Sequence, residues 1–236
     1  LSGSVFADGA GSVELISKVG NNTILSSTHG LKAQNDEHEN DMHIVTAVFA
    51  TGDSNVKIDA GNAGVNQIYS DVKFNESHPQ DREITVWSEH GANVNIKGAV
   101  DIAARNSEKY VNEAEGNALV IAVSAGSRAL EYDGAALKPV DNISKIDIDY
   151  TSDIKNSRIV GDIVAGYGGH VDIHSDNAKN NSLSVKGSVL SANNGVANID
   201  FGNGGYWEGR ADNYFGADEN DNADFFKPAF SNAIKE

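Results

Sequence analysis

The sequence predicts a right-handed parallel β-helix, an all-β solenoid of about six coils. Three observations carry that expectation: one pattern of fixed internal spacing recurs six times, its strand-like halves alternate with period two, and the connections are rich in Gly, Asn and Asp.

The pattern reads apolar, any, Ala or Ser, five residues, then apolar, any, apolar. Its copies are Val5-Phe6-Ala7 with Val13 and Leu15, Val48-Phe49-Ala50 with Val56 and Ile58, and Val86-Trp87-Ser88 with Val94 and Ile96. Three more follow: Ala122-Val123-Ser124 with Leu130 and Tyr132, Ile163-Val164-Ala165 with Val171 and Ile173, and Val189-Leu190-Ser191 with Ala197 and Ile199. The shortest interval, Ala165 to Ser191, is ~26 residues, one coil of three short strands; longer intervals are a coil plus an insertion. The flanking members of each second half are expected to stack inward, rung on rung at ~4.8 Å. The middle members, Glu14, Lys57, Asn95, Glu131, Asp172 and Asn198, are expected to face solvent. A β-sandwich is the competing architecture, but it gives no reason for one spacing in every coil.

Insertions fall at 34–41, 75–82, 105–117 and 151–157, and aligned insertions are expected to form one polar, partly acidic ridge. Loops on a rigid scaffold commonly carry recognition, so the candidate binding residues are Asp36, Glu37, His38, Glu39 and Asp41, then Glu76, His78 and Asp81, then Glu108, Tyr110, Glu113 and Glu115. Phe49 and Trp87 join them, because the second residue of every copy is apolar (Phe6, Phe49, Trp87, Val123, Val164, Leu190) although its parity opposes its inward neighbours. That row either packs inward or under an insertion, or forms an exposed stripe suited to association. The domain reading is a β-helix over 1–215 and an acidic, then aromatic, insertion or capping segment over 216–236.

Composition narrows the function. Net charge is −16 and the pI about 4.7, which argues against nucleic acid and anionic membrane surfaces as partners. No cysteine is present, so thiolate chemistry and disulfides are excluded. No apolar run approaches the ~18 residues of a membrane span, so no direct membrane insertion is expected. The chain starts at Leu1 and enters Ser4-Val5-Phe6-Ala7 without a leader, reading as a segment of something longer.

Candidate chemistry is sparse. His38 and His43 lie in an acidic insertion but match no metal-ligand spacing. His170, Asp172 and His174 share a strand face, where the histidines would be ~13 Å apart, too far for one ion. Calcium is the one cofactor considered, at Asp36 to Asp41 or across 218–224; otherwise no cofactor and no catalytic residue is expected. A pectin-lyase-like lyase or hydrolase would need paired carboxylates on neighbouring coils, and the expected outward row offers none.

These repeats, with Gly204-Gly205-Tyr206-Trp207-Glu208-Gly209-Arg210, resemble a type V autotransporter passenger, the secreted β-helix of a bacterial surface adhesin. The resemblance runs through all the coils and implies export through an outer-membrane barrel absent from this chain, an extracellular or cell-surface location, and adhesion or self-association of the biofilm-forming kind. It implies as partners a host or bacterial surface protein or glycan, or an identical chain. The alternatives are a polysaccharide-processing β-helix enzyme and a passive stalk.

Overall fold

A computed structural model describes residues 2–27, 44–71, 82–105, 119–126, 130–133, 136–139, 143–166, 168–192, 194–209 and 211–214. The chain is a right-handed parallel β-helix built from three parallel sheets. The first sheet contains β1 (Val5–Ala7), β5 (Val48–Ala50), β8 (Arg82–Ser88), β11 (Leu119–Ala125), β16 (Asp162–Gly166), β19 (Val189–Ala192) and β22 (Ala211–Tyr214), with β4 (Ile44–Val45) also paired to β8. The second holds β2 (Ser12–Ile16), β6 (Asn55–Asp59), β9 (Asn93–Lys97), β14 (Lys145–Asp149), β17 (His170–His174) and β20 (Val196–Ile199). The third holds β3 (Asn22–Ser27), β7 (Val65–Asp71), β10 (Ala99–Ala104), β15 (Asn156–Val160), β18 (Ser182–Lys186) and β21 (Tyr206–Glu208). Each coil visits the three sheets in that order. The parallel register removes the β-sandwich alternative, whose strands pair antiparallel.

Register turns the repeat into ladders. In the second sheet Val13, Val56, Val94, Ile146, Val171 and Ala197 stack, beside Leu15, Ile58, Ile96, Ile148, Ile173 and Ile199. In the third, Ile24, Ile68, Ile102, Ile159 and Val185 stack, and Trp207 continues the column. These rows, with the Val and Ala/Ser rows of the first sheet, form one continuous core. The Ala/Ser row has a local cause: its serines reach across the turn to the residue just before the second-sheet strand. Ser88 Oγ donates to the Ala92 carbonyl at 2.7 Å, and Ser191 Oγ to that of Gly195 at 2.6 Å. The same turns contain every non-glycine residue with positive φ among those described: Ala10, Asp53, His90 and Asn194.

Several polar groups inside the coil are satisfied across rungs. Asn22 Nδ2 donates to Asn66 Oδ1 at 2.9 Å, and Asn66 Nδ2 donates to the Lys97 carbonyl at 2.8 Å. Tyr150, fully buried, donates its hydroxyl to the Asp200 carbonyl at 2.8 Å. Burial, reinforced by the Asp200 charge, pushes that phenol up to about 12.

The fourth copy differs from expectation. Val123, Ser124 and Ala125 align with Val86, Trp87 and Ser88, one residue later than the pattern predicts. The offset is the same on the other side, where Val123, Ser124 and Ala125 pair with Ile163, Val164 and Ala165 beyond a register shift between Ile121 and Val123. Leu130 and Tyr132 are not in the coil. They lie in β12 (Leu130–Asp133), which pairs antiparallel with β13 (Ala136–Pro139), and the coil resumes at Lys145 to Asp149. The solvent-facing row therefore contains Asp147, not Glu131.

This arrangement predicts a sharp parity effect. Ile96→Ala, in the middle of a buried ladder, is expected to cost roughly 2–5 kcal/mol. Ile16, on the opposite parity and 51% exposed, should tolerate Ala within about 0.5 kcal/mol. Urea unfolding of the two variants checks this.

Candidate functional site

The corner leading from the third sheet to the first has two forms. In coils one to three it opens into 28–43, 72–81 and 106–118, which lie outside the described residues. The strands at their bases are in register: Ser27 opposite Asp71 where the chain leaves, Ile44 and Leu119 each opposite Arg82 where it returns. In coil four the same corner is a single glycine, Gly161, between Val160 and Asp162. A Cβ on Gly161 would lie 2.9 Å from the Ala122 nitrogen, and one on Gly187 in the next coil would overlap the Gly161 carbonyl oxygen. Its φ of +121° also excludes L side chains, so only glycine closes this corner tightly.

Three of the four sequence-read insertions thus share one edge. The fourth, 151–157, does not: it covers the corner from the second sheet to the third, after β14, and the first two residues of β15. The fourth coil has its insertion between the first and second sheets, where the β12–β13 hairpin is. The misread Leu130 and Tyr132 account for the displacement. Asp36, Glu37, His38, Glu39, Asp41, Glu76, His78, Asp81, Glu108, Tyr110, Glu113 and Glu115 all lie outside the described residues, as do His43 and the acidic segment 218–224.

Phe49 and Trp87 are placed. They lie on the outer face of the first sheet, where Phe6, Phe49, Trp87, Ser124, Val164 and Leu190 are in register. Phe6 and Phe49 rings are 5.4 Å apart, and Phe49 stacks on Trp87 at 4.6 Å. Ile84, Trp87, Ile121 and Val164 form a second apolar cluster, joined by Phe49 and Leu190. The row does not pack into the main core, nor is it an open stripe: exposure falls from 55% at Phe6 to 6% at Trp87. Stacking explains part of the fall, since the inner ring has a neighbour on its face.

The cluster abuts Asp162, whose Cα partner is Ile121 and whose Oδ1 accepts from the Ser188 amide at 2.7 Å. Desolvation raises this carboxyl to about 6, the Ser188 hydrogen bond opposing it.

Two polar groupings on other faces escaped the one-dimensional reading. On the third sheet Tyr69 donates to Asp101 Oδ2 at 2.7 Å, Arg158 Nε donates to Asp101 Oδ1 at 3.0 Å, and Arg105 lies 4.3 Å over the Tyr69 ring. Burial, then the Asp101 hydrogen bond and charge, pushes the Tyr69 phenol up to about 12. Tyr69, Asp101 and Arg158 come from separate coils, so only the register reveals the grouping. On the second sheet Asp147 is the Cα partner of Asp172, and His174 Nε2 is 3.3 Å from Asp147 Oδ1. The outward row does contain neighbouring carboxylates, contrary to expectation, because Asp147 replaces Glu131. Among the described residues no three His, Asp or Glu side chains group closely enough to hold a metal ion. Nor is any helix there long and apolar enough to cross a membrane.

Asp162 gives a signed pH prediction. Its folded value lies above the ordinary carboxylate range, so the folded state binds the proton more tightly. The protonated group favours folding below about pH 4, and that advantage is lost as pH rises through about 6. Asp162→Asn retains an acceptor for Ser188 but does not titrate. Its stability relative to the parent should rise by up to about 2 kcal/mol between pH 4 and 7.5, read by urea unfolding at each pH.

No protein-family model, no curated protein and no solved structure matches this chain.

Proposed function

We propose that this chain is an extracellular β-helix of the autotransporter-passenger kind, a rigid scaffold for surface adhesion or self-association. The observation that carries the reading is the set of three consecutive corners opening into insertions from strand ends in register. A fold that can close the corner with one glycine, and does so at Gly161, spends chain length there for something other than folding. The strongly acidic balance disfavours anionic glycosaminoglycans and leaves neutral glycans, basic protein patches or calcium-bridged acidic partners. Anchorage would come from a barrel outside this sequence.

A second reading has one observation in its favour. Asp147 and Asp172 are neighbours on adjacent rungs, with His174 alongside, and paired carboxylates are the groups glycoside hydrolysis requires.

One preparation separates the readings. Residues 104–120 are replaced by a single glycine, as coil four crosses with Gly161, and the variant is compared with the parent on neutral oligosaccharides, immobilised basic proteins and sedimentation of the chain itself. The adhesive reading expects an intact β-sheet spectrum and at least tenfold weaker binding or association. Phe6→Ser, at the exposed end of the aromatic row, tests homotypic contact more cleanly than Trp87→Ser, which removes a buried ring. A parent chain that binds nothing and stays monomeric, or a variant that binds equally, contradicts the adhesive reading. Chain cleavage of an oligosaccharide, abolished by Asp147→Asn or Asp172→Asn, establishes the enzymatic one.

A further inference from the structure

The sequence contains two Asn-Gly pairs, Asn194-Gly195 and Asn203-Gly204. Both asparagines are exposed turn residues near the end of the described coils, so local sequence and access to water do not distinguish them. Their side chains are held differently. Asn203 Nδ2 donates to the Lys179 carbonyl at 2.9 Å, while its backbone amide donates to the Asn181 carbonyl at 2.9 Å. The carboxamide is thereby fixed against the preceding coil. Among the described residues Asn194 has no such side-chain partner; it occupies the left-handed region at φ +64°, in the turn from β19 to β20.

We propose that Asn194 is a site of spontaneous deamidation and backbone isomerisation in the folded chain, and that Asn203 is protected. The chemistry needs only water. The Gly195 backbone nitrogen, after losing its proton to hydroxide, attacks Asn194 Cγ. The new N–Cγ bond forms, the Cγ–Nδ2 bond breaks, and the amide nitrogen leaves as ammonia with a proton from solvent. Water then opens the cyclic imide at either carbonyl. One opening gives aspartate, and the other gives a β-linked isoaspartyl residue. Glycine has no Cβ to obstruct the attacking nitrogen, which is why the pair is reactive in both places. Departure from Asn203 requires breaking its bond to Lys179 and rotating the side chain out of a fixed turn. Asn194 has no bond of that kind to break.

The location gives the reaction a structural consequence. The turn is closed on one side by Ser191 Oγ on the Gly195 carbonyl, and on the other by the Val196 amide donating to the Gly169 carbonyl at 2.9 Å. A β-linked residue at 194 lengthens the main chain between Ser191 and the Gly195 carbonyl that its hydroxyl holds, just before the peptide bonded to Gly169, and either product adds a negative charge. The rung-to-rung register of β20 on β17 depends on that turn. Conversion should therefore loosen the sixth coil selectively.

The test is peptide mass mapping of the intact folded chain held at mildly alkaline pH, with the chain in denaturant as a parallel sample. The peptide spanning Asn194 is expected to acquire the mass of the acid and to split into two chromatographic species, at least tenfold faster than the peptide spanning Asn203. In denaturant the two peptides should convert at similar rates, which assigns the difference to the fold. Asn203→Asp leaves the Asn194 rate as a separate readout if one peptide is poorly recovered. Equal conversion at both sites in the folded chain overturns the proposal. So does an unchanged Asn194 under conditions that convert it in the denatured chain.

Discussion

Everything in this molecule depends on parallel backbone pairing held in register from one coil to the next. A single coil has no second layer against which to bury its apolar rows; only the rung above and below supplies one. Slipping one strand by one residue would move its inward Val and Ile positions to solvent, so the ladders and the hydrogen bonds specify the same alignment. Two interior polar groupings follow the same rule. The Asn22–Asn66 pair and the Tyr150 hydroxyl find their partners on other rungs, not within their own coil.

Because register is set along the strands, the corners are free to differ. The corner between the third and first sheets closes on Gly161 in one coil and opens into insertions in three others without disturbing the strands on either side. The outer face of the first sheet uses that freedom differently. Its aromatic row builds a second apolar cluster outside the coil, next to the bases of the insertions, and the Asp162 carboxyl beside it carries the electrostatic consequence. Coil and insertions are thus physically separable, which is what the proposed adhesive role requires.

The coil architecture was legible because inward positions are constrained at every rung and leave a fixed spacing behind. Five of the six copies align as the spacing predicts. The fourth was misread for two physical reasons. Ile121, Ala122 and Val123 are all apolar, so parity could not tell which of them opens the inward row. And Leu130-Glu131-Tyr132 in the hairpin alternates as a coil strand does, because any strand with two different faces alternates. That one error hid the Asp147–Asp172 neighbours. The Tyr69–Asp101–Arg158 grouping was illegible for another reason: its members are brought together by register across coils, and nothing within each segment marks them.

Register is best tested by covalent capture, for which a chain without cysteine is well suited. Lys57 and Asn95 are direct partners on adjacent rungs, facing outward, whereas Lys57 and Lys97 are two residues out of register. Partners ~4.8 Å apart lie within disulfide reach, and diagonal positions at roughly 8 Å do not. Oxidation of Lys57→Cys with Asn95→Cys should give a quantitative intramolecular disulfide with the β-sheet spectrum unchanged, and Lys57→Cys with Lys97→Cys should remain reduced. Efficient bridging of the second pair but not the first would contradict the register on which the fold, the insertion edge and the outward rows all rest.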